Sequence, residues 1–337
     1  MQEAHPSARI LTMKDTKASA EANVAFYAAD VASEHLDVSW RGHSGVKRLL
    51  NEKASIDAWL RTVAPGSVIA MESTGRYHEA LAHAAHKRGL VVYLLNPRAV
   101  RKYAQGVGMR GKTDRLDAQV LARMVEREHG ELHPWQPPSA AEAELQELLR
   151  HRAALVKHKA AVRQAGCHSA ALQALDARVL ESFDAAIEQL SRQIKQAVRA
   201  LPQGAQALSH ITSVPGLGLL SASALLLVFQ RLAARGGDAV IAFTGLDPVP
   251  ADSGKRTGLR RLSKQGPAEL RRLLYNAAMS ASRTATWHGF YEAQRTKGLP
   301  STAALMVLAR KLVRVAFSLF KSQSNFDPER ARPALTR

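Results

Sequence analysis

Short apolar segments that end in an acidic or turn-forming residue recur through the first third of the chain, with helical patterns between them. The segments that predict strands are Val24–Asp30, Leu36–Trp40, Ser67–Glu72 and Val91–Asn96. Helices are expected over residues 76–88 and 113–128, the second capped by Thr113. Strands that alternate with helices predict an α/β layer for this part of the chain.

The rest of the chain predicts helices. Residues 140–200 are rich in Ala, Leu, Gln, Glu and Arg, and indicate two long antiparallel helices that break near Gly166–Ser169. Beyond Pro202, two helical segments are expected within Ile211–Leu226, followed by a loop over Gly236–Gly258. Two closing helices are expected over residues 267–282 and 302–321.

These patterns divide the chain into five segments. They are a flexible leader (1–22), an α/β domain (23–134), a helical coiled-coil linker (139–201), a mainly helical C-terminal domain (205–328) and a tail (329–337).

The charge of the chain points to a polyanionic partner. The net charge is +18 and the pI about 10.4. Between Lys255 and the end there are seventeen Lys or Arg and four Asp or Glu. Lysine and arginine displace condensed counterions from phosphate backbones, so nucleic acid is the expected partner.

Other classes of protein fit the sequence poorly. Cys167 is the only cysteine, which excludes a disulfide framework and a cysteine-rich zinc site. No apolar run is expected to span a membrane, and the first twenty residues lack the apolar centre of a signal peptide. We expect a cytoplasmic, nucleoid-associated protein.

Four carboxylates form a candidate metal site. Asp30 and Glu72 end predicted strands, and the ends of neighbouring strands converge on one edge of an α/β sheet. Asp114 and Asp117 are three residues apart, which places both on one face of a helix. Mg²⁺ or Mn²⁺ would offset the repulsion among four acids. Taken singly, each acid is more often a turn former, a helix cap or an ion-pair partner.

Two glycine-containing segments are candidates for contact with nucleic acid. The turn Val214–Gly218, with Gly216 and Gly218, resembles a helix-hairpin-helix turn, and an ordinary helix connection explains it equally well. The loop Phe243–Gly266 holds Ser253 beside Gly254, in a position to attack a phosphodiester. The basic residues expected to contact nucleic acid are Lys112, Arg115, Lys255, Arg256, Arg260, Arg261 and Lys264.

The ordered motifs of the chain resemble those of the insertion-sequence family one-hundred-and-ten transposases, which include Piv-type DNA invertases and bridge-RNA-guided recombinases. The motifs are Asp30–Val31, Met71–His78, Asn96–Pro97, Lys112–Ala122, Val214–Gly218, Phe243–Pro248, Ser253–Lys255, the segment ending at Gly266, and Ala309–Phe317. Each motif alone is weak evidence for the family. Their occurrence in this order over nearly the whole chain is specific evidence for it.

The resemblance implies a RuvC-like N-terminal domain of ribonuclease H fold, whose DEDD metal site would be Asp30, Glu72, Asp114 and Asp117. It implies a helical middle for subunit pairing and a C-terminal transposase domain whose serine, here Ser253, becomes attached to a DNA strand end. The partners implied are donor and target duplex DNA, a structured guide RNA, and further copies of the chain in a dimer or tetramer. Asp252 stands where related sequences often carry a small or hydroxyl residue, which leaves Ser263 as a second candidate.

Two other functions stay open at this stage. A structure-selective nuclease would use the carboxylates to hydrolyse DNA and leave Ser253 incidental. A non-catalytic protein that binds DNA or RNA would need only the basic residues. His78, His83 and His86 could be read as a metal set, and a solvent-exposed helix face explains them better. An ATPase of the sugar-kinase type shares the Asp-bearing first hairpin, but such an enzyme does not need so large a positive charge.

Overall fold

The computed structural model describes residues 25–40, 45–73, 75–108, 114–166, 169–250 and 260–329, with side chains from residue 118 onward in the fourth of these segments. The chain divides into two units, residues 1–137 and residues 138–337. The predicted leader, the loop residues 251–259 and most of the predicted tail lie outside the described residues.

A five-stranded mixed sheet forms the centre of the first unit. Its strands are β1 (Phe26–Val31), β2 (His35–Trp40), β3 (Lys47–Leu50), β4 (Val68–Glu72) and β5 (Val91–Leu95). The spatial order is β3-β2-β1-β4-β5, in which β1, β4 and β5 run parallel and β2 and β3 pair antiparallel. The α/β layer expected from the sequence is confirmed. Strand β3 was not predicted, because this exposed edge strand lacks an apolar alternation.

Four helices cover the two faces of this sheet. They are α1 (Lys53–Leu60), α2 (Glu79–Lys87), α3 (Pro97–Gly106) and α4 (Asp114–Glu128). Helices α1 and α2 pack on the face that carries Ala29 and Met71. Helices α3 and α4 pack on the opposite face, which carries Ala28 and Ala70. Each strand of the parallel core is therefore buried on both sides, as its continuous apolar sequence requires.

Two long antiparallel helices begin the second unit, α5 (Ala140–Ala165) and α6 (Ala170–Ala200). A capping box starts α5, in which Ser139 accepts from the Glu142 amide and the Glu142 carboxylate accepts from the Ser139 amide. The pair is held by contacts such as Arg152 to Ser191 at 3.0 Å. The two helices and their break lie where the sequence predicts them.

Six further helices share one apolar core with the inner ends of α5 and α6. They are α7 (Gly204–Thr212), α8 (Leu219–Leu232), α9 (Gly236–Thr244), α10 (Ala268–Ala281), α11 (Ala285–Thr296) and α12 (Ser301–Ser322), with a short 3-10 turn at Ala233–Arg235. A two-stranded hairpin, β6 (Pro248–Pro250) and β7 (Arg260–Leu262), stands between α9 and α10.

The prediction of a loop over Gly236–Gly258 is wrong in its first part, because Gly236–Thr244 is helix α9. The apolar run after Gly237 buries Val240 and Ile241 in the helical core, and this burial outweighs the two glycines at its start. By length and composition alone, the helical stretch Leu219–Thr244 is apolar enough to cross a membrane. Half of that stretch is buried within the protein, as in a core helix.

The turn between α7 and α8 lies in close contact with α10. Gly216 has a φ of +99°, and a Cβ built on it would lie 2.4 Å from Cβ of Ala281 on α10. A Cβ on Gly218, two residues later, would meet nothing within 4 Å. Gly216 therefore serves helix packing, whereas Gly218 is open on its side-chain side.

We predict that Gly216→Ala destabilises the protein and that Gly218→Ala does not. The first substitution forces α10 away and strains a left-handed backbone, so it should lower the free energy of unfolding by about 1–3 kcal/mol. The second should change it by less than about 1 kcal/mol. Urea denaturation followed by circular dichroism measures both. Equal effects of the two variants would contradict the packing role of Gly216.

Candidate active site

Asp30 and Glu72 lie side by side at the carboxyl edge of the sheet. Strands β1 and β4 pair in parallel, with Ala29 opposite Met71, and one further step of the same register sets Asp30 beside Glu72. Asp30 comes two residues after Ala28, and Glu72 comes two residues after Ala70. Both alanines face α4. Because alternate residues of a strand share a face, the two carboxylates point to the same side of the sheet.

Helix α4 brings two more acids toward this edge. Its end lies against the start of β1, where the rings of Phe26 and His129 are 5.0 Å apart. Helix α4 therefore runs antiparallel to β1, and its first turn, with Asp114 and Asp117, lies toward the end of β1. At about 1.5 Å per residue, Asp117 stands about 18 Å along the helix from His129. Asp30 is about 13 Å along the strand from Phe26.

The backbone thus brings all four acids of the predicted site to one end of one sheet face. The positions of Asp114 and Asp117 rest on the helix axis alone, since their side chains lie outside the description. Within the described part of the chain, no three metal-binding side chains form a group by themselves.

A fifth acid, missed in the sequence analysis, shares this face. Asp37 of β2 lies opposite Asp30 of β1, and Arg48 of β3 lies opposite Asp37, so the three form a row across the sheet. The Asp37 side chain is 4% exposed. Arg48 holds it with two hydrogen bonds, Nε to Oδ1 at 2.8 Å and Nη2 to Oδ2 at 2.6 Å. The signal that could have found Asp37 is an acid inside an otherwise apolar strand, Leu36–Val38.

The β6–β7 hairpin carries the loop that contains Ser253. Pro250 pairs with Arg260, so residues 251–259 join the outer ends of its strands. At its base, Gly245 and Gly266 press their backbones together. A Cβ on Gly245 would lie 2.8 Å from the Gly266 nitrogen, and a Cβ on Gly266 would lie 1.9 Å from the Phe243 oxygen. The two glycine motifs that flank the loop therefore fix the stem from which it extends.

Ser263, the second candidate nucleophile, lies in the stem of the hairpin. Its hydroxyl donates a hydrogen bond to the Asp247 carboxylate, and its amide donates to the Asp247 carbonyl at 3.0 Å. Both contacts join the two strands just inside β6 and β7. Ser263 is half-buried, and this bonding gives it a structural role.

The basic candidates fall into two groups. Arg260, Arg261 and Lys264 are exposed on and after β7, beside the loop. Lys112, Lys255 and Arg256 lie outside the described residues, as does the side chain of Arg115.

The remaining candidates have local structural partners. Gly218 is exposed at the start of α8, where its amide donates a hydrogen bond to the Ser221 hydroxyl at 3.1 Å. The rings of His83 and His86 meet Trp135 edge-on, at 5.0 and 6.1 Å between centroids. These two histidines therefore hold the segment that follows α4 rather than converge on a shared ligand.

Comparison with known families matches both units. The DEDD transposase profile of the IS110 family matches residues 28–174. A second profile, described as "Transposase IS116/IS110/IS902 family", matches residues 208–292. The chain belongs to the IS110 transposase family. This is the insertion-sequence family whose motifs the sequence resembles.

Relatives within the IS110 family include proteins that invert DNA. The chain is 29% identical to the pilin gene-inverting protein of Moraxella lacunata, over 76% of this chain and 81% of that protein. It is 28% identical to the pilin gene-inverting protein of Moraxella bovis over the same shares. A probable family 20 transposase of Pseudomonas aeruginosa is 25% identical over 82% of this chain and 90% of that protein. The chain is therefore a member of a family of DNA recombination enzymes.

We predict that Arg48→Ala destabilises the first unit more than Lys53→Ala does. Removing Arg48 leaves the buried Asp37 carboxylate without its two hydrogen bonds, which should cost about 1–3 kcal/mol of unfolding free energy. The Lys53 ammonium pairs with Asp57 on the surface, and its loss should cost less than about 1 kcal/mol. Arg48→Ala with Asp37→Leu should recover part of the loss. Urea denaturation measures each, and no difference between the two single variants would contradict this account.

Proposed function

We propose that this chain is a DNA recombinase that cuts and rejoins strands through a carboxylate metal site and a serine nucleophile. The observation that carries the proposal is the placement of Asp30 and Glu72 on neighbouring parallel strands, facing the helix that begins with Asp114 and Asp117. Membership of a transposase family and the charge of +18 support DNA as the substrate.

The first unit is proposed to be a RuvC-like domain of ribonuclease H fold. The sheet order β3-β2-β1-β4-β5, with an antiparallel β2, supports this assignment. So does the presence of the acids at the carboxyl ends of β1 and β4 rather than elsewhere on the sheet.

The donor set suits Mg²⁺ or Mn²⁺. Asp30, Glu72, Asp114 and Asp117 would supply carboxylate oxygens only, which hard divalent cations prefer. Arg48 already compensates the neighbouring Asp37, so that acid needs no cation of its own. When bound, such ions stabilise charge on the attacking and leaving oxygens of a phosphodiester.

The serine step is proposed for Ser253. Its Oγ would attack a DNA phosphorus, forming a Ser–phosphate bond while the bond to one sugar oxygen breaks. The proton that the serine hydroxyl gives up balances the proton that the leaving sugar oxygen takes up. The ester conserves the energy of the phosphodiester, so a strand can be rejoined without ATP. Arg260 and Arg261, exposed beside the loop, can offset charge on the non-bridging oxygens. The structural role of Ser263 favours Ser253 over that alternative.

The proposed partners are donor and target duplex DNA, a structured guide RNA, and further copies of the chain in a dimer or tetramer. The long α5–α6 pair offers a surface for the last of these, since Leu172, Leu175 and Val179 are exposed on α6. The contacts with DNA are proposed for Lys112, Arg115, Lys255, Arg256, Arg260, Arg261 and Lys264, with Gly216 and Gly218 in the α7–α8 turn.

We predict that Glu72→Gln and Asp30→Asn abolish strand cleavage in Mg²⁺ and weaken Mn²⁺ binding by tenfold or more. Each variant removes one negative charge and one metal ligand but keeps the shape of the side chain. Mn²⁺ titration followed by electron paramagnetic resonance measures binding, and circular dichroism checks the fold. Glu79→Gln, an isosteric change at an exposed ion pair with Arg76, is the matched control. Unchanged Mn²⁺ affinity in both site variants would rule out the metal site.

We predict that Ser253→Ala binds duplex DNA normally but forms no covalent protein–DNA adduct. Ser263→Ala should be less stable, because the bond between β6 and β7 is lost, yet should still form the adduct. Denaturing gels of radiolabelled DNA detect the adduct, and peptide mapping identifies the residue. Cleavage by the wild type without any adduct would instead favour the hydrolytic nuclease. DNA mapped to another residue would refute the assignment to Ser253.

A further inference from the structure

A basic groove runs beside the stem of the β6–β7 hairpin, between α11 and α12. Its volume is about 410 Å³. The groove is lined by Pro248, Phe290, Gln294, Val307, Arg310, Lys311 and Arg314. The cations come from one face of α12, at positions i, i+1 and i+4, and none of them was among the candidates for binding DNA. We propose that this groove binds a DNA phosphate close to the cleavage point.

The positive charge of the groove is only partly compensated. Nη2 of Arg314 lies 2.8 Å from the exposed Asp238 carboxylate. Arg310 and Lys311 have no carboxylate partner within the described part of the chain. Burial and the neighbouring Arg314 lower the pKa of both groups. A cationic side chain that is desolvated but has no acidic partner is stabilised by an anionic ligand.

The groove also contains a polar side chain that is mostly buried. Gln294 is 8% exposed and lines the groove, and its amide makes no hydrogen bond among the described residues. Because the amide is not shut off from solvent, it is available to donate a hydrogen bond to a ligand in the groove. A phosphate oxygen would accept from both this amide and the flanking cations.

The shape of the groove holds its cations in place. The Lys311 ammonium stands 6.0 Å from the centre of the Phe290 ring, at the limit of a cation–π contact. Phe290 and Gln294 are one turn apart on α11 and so face the groove together. A groove that combines an aromatic ring with three cations suits a nucleic-acid backbone rather than a free phosphate ion.

The groove lies within reach of Ser253 along the chain, and DNA is the expected ligand because Ser253 is proposed to attack DNA. Pro248 lines the groove and begins the strand that leads to Ser253, five residues later. At no more than about 3.6 Å per residue, the two lie within about 18 Å. This distance corresponds to about five nucleotides of duplex, at 3.4 Å per step. The inference rests on the proposed function, because it takes Ser253 to mark the cleavage point.

The first test uses the full chain and a short duplex of arbitrary sequence. Arg310→Gln with Lys311→Gln should reduce the slope of log affinity against log salt by about 1.8, which is 0.9 for each lost contact. Arg235→Gln with Lys297→Gln removes the same charge at two exposed positions and should leave the slope near that of the wild type. A slope unchanged in the groove variant would overturn the proposal.

The second test maps the groove directly by lysine acetylation and mass spectrometry. Duplex DNA should protect Lys311 at least several-fold while Lys297 reacts as before. Protection by a structured RNA alone, or equal loss of reactivity at both lysines, would overturn the assignment to DNA. Should the wild type fail to bind duplex at all, the proposed function fails first. Salt-dependent binding of duplex without protection of Lys311 would overturn the groove proposal and leave the proposed function standing.

Discussion

Electrostatic repulsion along a single row of the sheet is the constraint on which the first unit depends. Asp37 and Asp30 lie on adjacent strands with side chains on one face, and Glu72 follows in the same row. Like charges at this spacing destabilise a sheet unless something offsets them. Arg48 offsets Asp37 from within the chain. Cations bound at the proposed site would add compensation at Asp30 and Glu72.

The packing of α4 brings two further acids toward this row. Its apolar residues Val120, Leu121 and Val125 are buried against the sheet, so the helix direction is fixed by the core and not by the acids. The acids at the start of α4 therefore lie toward the carboxyl edge because the helix packs on the sheet in this direction. A site arranged this way can be lost through mutations in the core that never touch a carboxylate.

Much of this arrangement could be predicted from the sequence, and the missing parts have physical reasons. The strands that hold Asp30 and Glu72 are buried on both faces, so their apolar runs are unambiguous. Strand β3 and helix α9 were missed because an exposed edge and a glycine start carry little local signal, and tertiary burial decides them. The pairing of Asp37 with Arg48 and the groove on α12 depend on contacts between distant segments. No periodicity in the sequence encodes such contacts.

The composition of β6 has a consequence for assembly. Pro248 and Pro250 occupy two of its three positions, and proline has no amide hydrogen. Val249 is thus the only amide donor of this strand for its ladder with β7. A strand approaching the outer edge of β6 would find acceptors without matching donors, so the edge resists β-sheet extension. The hairpin is in this way protected from strand addition by a second copy of the chain.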